Sequence, residues 1–120
     1  NIPFSEQVFG FWFLMTLLRH GYSNVVRTSD DIEKILDTCE CTTVYVSRYI
    51  ISSIAICLDM ELKGSLEGDS VITKFNENSF RMLEKIYDTS DNELGSLTSL
   101  VLNALNDQGV DNSIDELFGI

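Results

Sequence analysis

A chain of 120 residues that is 44% hydrophobic is long enough to bury one core and too apolar to stay disordered. Its 19 acidic residues against 8 Lys and Arg give a formal net charge of -11. A body this acidic repels nucleic acid and anionic membrane, so neither is expected as a partner.

The chain opens on Asn1 rather than Met, as expected of a processed or trimmed chain that has lost any signal peptide. Pro3 suits the lead-in of a first helix, with Ser5 as its expected N-cap and Glu6 favoured by the helix dipole. Residues 8–18 are apolar nearly all round but too short to span a bilayer. Core burial accounts for most of this surface. A face left for a second chain is the alternative, and an exposed patch would favour it. Arg19 and His20 suit the last turn, and Gly21 the stop.

Residues 22–27 form a connector. Thr28-x-x-Asp31 resembles a capping box and starts a short second helix over about 29–39, with Ile32, Ile35 and Leu36 inward. Asp30, Asp31 and Glu33 crowd its first turn, either for the dipole or to face an external cation. Cys39, Cys41 and Cys57 lack any metal-site spacing. They are read as free thiols or as a bridge from Cys57 to Cys39 or Cys41, which would require an oxidising compartment.

Residues 43–58 are the most apolar sustained stretch. Val44, Ile50, Ile51, Ile54, Ala55, Leu58 and Leu62 recur at helical spacing, predicting a central helix that Gly64 ends. Ser47, Ser52, Ser53 and Asp59 are expected on the opposite face. Arg48 is the one cation in the stretch and the residue to explain. A fourth helix is predicted over about 70–87, weakened midway by Asn76, Glu77 and Asn78. Residues 89–91 cap a fifth, which runs to about Asn106 with Gly109 as its stop. A tail over 110–120 carries a further capping box, Ser113-x-x-Glu116. The expected architecture is a single all-α domain, a five-helix bundle over residues 1–120.

No phosphate loop, zinc-protease motif, nucleophile elbow or calcium loop occurs, so no catalytic residue, metal, cofactor or small-molecule substrate is expected. Every cation precedes residue 86, and the acidic remainder would make the domain dipolar if the fold kept that separation. The chemistry left is carboxylate titration. A carboxylate desolvated on association has a raised pKa, so the associated state binds more protons. Such association strengthens as pH falls and is lost as pH rises through the raised value.

In this order the features resemble the N-terminal domain of spider silk proteins, the spidroins. The resemblance rests on the lead over residues 1–4 with Ser5-Glu6-Gln7, on Thr28-Ser29-Asp30-Asp31-Ile32, and on Arg48 and Glu61 near the two ends of the third helix. It rests further on Asn92-Glu93-Leu94, on Leu97-Thr98-Ser99-Leu100-Val101 and on Gly109-Val110-Asp111. Trp12 lies inside the first helix, whereas the family's tryptophan usually precedes it, and three cysteines are unusual for the best-known dragline members. The resemblance implies a secreted, extracellular domain that stays monomeric at neutral pH and forms antiparallel homodimers as pH and salt fall. It implies that Asp31 (or Asp30) of one copy faces Arg48 of the other, with Glu61, Glu67 and Glu93 as the protonation relay. An acidic helical adaptor or inhibitor that binds a partner protein is the alternative.

Overall fold

The computed structural model describes residues 4–106, with side chains from residue 10 onward. Within them, five helices form an all-α bundle: α1 (Phe4–Arg19), α2 (Ser29–Glu40), α3 (Val44–Leu62), α4 (Glu77–Thr89) and α5 (Asn92–Leu105). Two short 3-10 turns, Ser23–Val25 and Ile72–Lys74, lie in the longer connections. The predicted tail and its capping box, with Gly109 and the Gly109-Val110-Asp111 match, lie outside the described residues.

The bundle is built round α3, which packs against α1, α2 and α5; α4 closes the other side against α2 and α5. Ile50, Ile51, Ile54, Ala55 and Leu58 are fully buried, as their spacing predicts. The expected polar face is different. Ser47, Ser52, Ser53 and Asp59 are buried too, while Val44 and Leu62 at the helix ends are exposed. A serine can enter a core because its hydroxyl bonds back to its own helix. Ser52 and Ser53 both donate to the Tyr49 carbonyl, at 3.0 and 2.6 Å, and Ser47 donates to the Cys39 carbonyl at 2.7 Å.

α1 and α3 run the same way, since partners advance together along both. Thr16 Oγ1 lies 2.7 Å from the Tyr49 hydroxyl, and Arg19 Nη1 donates to Ser52 Oγ at 2.6 Å. Gly21 then turns with φ +87, a conformation strained for any residue with a side chain, and a Cβ there would also press on the flexible Met60 side chain. The first helix begins at Phe4, which puts the expected N-cap, Ser5, inside its first turn.

α4 starts seven residues later than predicted, at Glu77 rather than Ser70. The reason is Asn76. Its side chain accepts from the Ser79 N–H at 2.9 Å, and Ser79 Oγ accepts from the Asn76 N–H at 2.8 Å. This capping box is a helix start, not a weak helix middle. The segment before it forms the second 3-10 turn, with Val71 buried, and Tyr87 near the end of the helix is exposed. Replacing Asn76 by Ala should cost about 1 kcal/mol, or a fall in Tm of roughly 4–8 °C, while Asn76→Asp should cost little. Thermal unfolding followed by far-UV circular dichroism checks both; equal losses in the two variants would contradict the cap.

Candidate functional site

Arg48 sits in the second turn of α3, whose start is capped by Thr43 accepting from the Val46 N–H. Ser47 points inward and Arg48 lies beside the start of α5. Its Nη2 is 2.9 Å from Asp91 Oδ2 and 3.3 Å from Glu93 Oε2. The guanidinium carbon lies 5.7 Å from the Tyr45 ring centroid, within cation–π range. Arg48 Nε is buried and has no hydrogen-bond partner among the described residues. Asp91 has two duties: Oδ1 caps α5 by accepting from the Leu94 N–H at 2.8 Å, while Oδ2 holds Arg48. The Leu94 N–H, foremost, and the guanidinium after it hold the Asp91 carboxyl below its ordinary value.

The predicted acidic partners lie elsewhere. Asp31 Oδ2 accepts from the backbone N–H groups of Arg27 at 2.9 Å and Thr28 at 3.2 Å, completing the capping box of α2. The Arg27 N–H is the main cause of its lowered pKa. Asp30 beside it is exposed. Asp31 and Glu67 share a groove of about 600 Å³ with Leu14, Tyr22, Val25 and Arg27. Glu61 is spent locally. It accepts from the Ser70 hydroxyl and from the N–H groups of Val71 at 2.6 Å and Ile72 at 3.1 Å, clamping the loop after α3.

The structure thus groups Asp31 with Glu67, groups Arg48 with Glu93, and leaves Glu61 apart. The α2 helix runs between the first two groups. Its 12 residues at 1.5 Å each span about 18 Å, so Asp30 and Asp31 lie near one end of the bundle and Arg48 near the other. The separation of charge along the sequence is not kept at the Arg48 end. Asp91 and Glu93 fold back onto Arg48, and Lys85 lies 3.5 Å from Glu40.

Exposed aromatic and apolar side chains occur on α1 and at the start of α3. Trp12, Phe13 and Leu14 are 44%, 62% and 40% exposed, and Tyr45 is 76% exposed. Trp12 stacks on Tyr49 with ring centroids 3.9 Å apart, and the Arg19 guanidinium lies 4.8 Å from the same Tyr49 ring. α1 thus carries apolar side chains at its surface as well as in the core.

Cys39 and Cys57 are buried free thiols, and Cys41 is an exposed one. Among the described residues no group of His, Cys, Asp and Glu is arranged to hold a metal ion, and no helix is long and apolar enough to cross a membrane. No protein-family model matches the chain, and no curated protein or solved structure matches it either. Two features had no signal in the sequence: Asp91 as the nearest partner of Arg48, 43 positions away, and the Tyr49 stack that joins α1 to α3.

The two lowered carboxylates fix the sign of one pH effect. The folded chain holds fewer protons on Asp31 and Asp91 than the unfolded chain does. Their stabilisation is therefore present above the ordinary value of 3.8 and is lost as pH falls through the lowered values. Arg48→Gln should move the Asp91 pKa upward and leave Asp31 unchanged, as read by carboxyl NMR titration. An unmoved Asp91 would show that the ion pair does not persist in solution. Thiol labelling should modify Cys41 readily and leave Cys39 and Cys57 protected until unfolding, since burial pushes the Cys57 thiol up to about 12.

Proposed function

We propose that this chain is a pH- and salt-dependent homodimerisation domain of a secreted, silk-type structural protein. It keeps the protein soluble as a monomer near neutral pH and pairs antiparallel with a second copy on acidification. The observation that carries this reading is the placement of Asp30 and Asp31 near one end of the bundle and Arg48 near the other. Two copies laid antiparallel about a two-fold axis bring each acidic turn to the other's guanidinium, forming the same pair twice. The exposed side chains of Trp12, Phe13, Leu14 and Tyr45 support an association role, because exposed apolar surface gains from cover. The resemblance to spidroin N-terminal domains supplies the parent protein and the sense of the pH response.

Asp31 is occupied in capping α2, so the more exposed Asp30 is the better placed steering charge. Attraction between exposed charges is screened beyond about 8 Å at physiological ionic strength, which accounts for the salt dependence. Of the three proposed relay carboxylates, Glu67 and Glu93 are exposed, Glu93 lying against Arg48 of its own chain, while Glu61 holds its own loop. The acidic groove bearing Leu14 and Tyr22 supports a second reading, in which a foreign basic segment docks there instead.

Light scattering coupled to size-exclusion chromatography at pH 7.5 and 5.5, each at low and high salt, distinguishes the two. The proposal expects the 13.5 kDa mass at pH 7.5 with high salt and twice that at pH 5.5 with low salt. A monomer under all four conditions would remove the self-association reading.

A further inference from the structure

Resting on the self-association reading, we infer that the first turn of α5 is an autoinhibitory cover for Arg48, which the chain must release before a second copy can use that charge. The contact has the form of a competitor. Asp91 and Glu93 are carboxylates, the same chemistry a partner's Asp30 would bring, and both already lie on Arg48 Nη2. They are tethered to the site by the chain itself, whereas a second copy must arrive by diffusion.

The state of Nε shows that the covered pose is incomplete. A guanidinium meets a carboxylate best through two parallel N–H groups. Here Nη2 is shared by two acids, and Nε is buried without a partner among the described residues. A buried donor left unpaired is unfavourable, so release recovers something: Nε regains water or meets an incoming carboxylate side-on. The ion pair itself is partly exposed, so its hold is weak enough to be exchanged.

Asp91 can be neutralised without losing the helix. Asparagine caps as well as aspartate, so Asp91→Asn keeps the acceptor for the Leu94 N–H and removes only the charge. The test is the double variant Asp91→Asn/Glu93→Gln in the full chain. Asp37→Asn/Glu84→Gln, two exposed carboxylates away from Arg48, serves as the control for lost net charge. Sedimentation at low salt should show the first variant associating roughly two- to fivefold more tightly than the control. High salt should abolish the difference. In dilute monomer, NMR of the Arg48 Nε–Hε group should show a restrained side chain in the wild type and a freed one in the first variant.

Equal affinities for the two double variants, or an Arg48 side chain equally mobile in wild type and variant, would overturn the inference. If Arg48 is restrained in the wild type and freed in the variant while every form stays monomeric, the contact stands and the self-association reading fails.

Discussion

Burial of the middle of α3 on every side is the constraint on which the other elements depend. A helix covered all round must carry apolar residues or polar groups that satisfy themselves. The Ile and Leu positions meet the first demand; Ser47, Ser52 and Ser53 meet the second by bonding to carbonyls of α3 and α2. Small hydroxyls also leave room for neighbours. Arg19 of α1 donates to Ser52 and Ser53 and lies over Tyr49, so a cation at the end of one helix is satisfied on the flank of another. The candidate residues inherit their places from this packing. Arg48 is one position beyond the buried Ser47, which turns it toward α5, and Glu61 is two beyond the buried Asp59, which turns it toward the following loop.

The carboxylates fall into two kinds. Asp31 and Asp91 accept from backbone N–H groups at helix starts, and their charge is part of the fold. Asp30, Glu67 and Glu93 are exposed and owe less to their own backbone. A domain that responds to mild acid needs both kinds. The caps must keep their charge below the pH at which the response occurs, or the bundle would loosen before it could pair. Their lowered pKa values put them on the correct side of that requirement.

The five helices were legible because their signals are local. Apolar spacing marked α3, Thr28 and Asp31 marked the start of α2, and Gly21 and Gly64 marked two ends. Misreadings came where a residue type has two physical uses. Asn76 was counted as a poor helix former, yet outside the first turn an asparagine is a good cap. The serines of α3 read as a polar face opposite the apolar one, yet a hydroxyl can bond within its own helix and be buried. Arg48 stood out as the one cation in an apolar run, but its partners, Asp91 and Glu93, lie more than 40 positions on and only folding brings them near. A net sign at each end cannot be read from charge order alone, because α5 returns its acids to the cation of α3.

The central claim is that Arg48 of one copy faces the acidic first turn of α2 in another, and charge reversal tests it most directly. Arg48→Glu and Asp30→Lys should each abolish low-salt dimers, since either change sets like charges face to face. Mixed in equal amounts, the two variants should form a heterodimer, in which one pair is native and the other reversed; native mass spectrometry resolves it from either parent. A mixture that stays monomeric, or single variants that pair as well as the wild type, would contradict the claim.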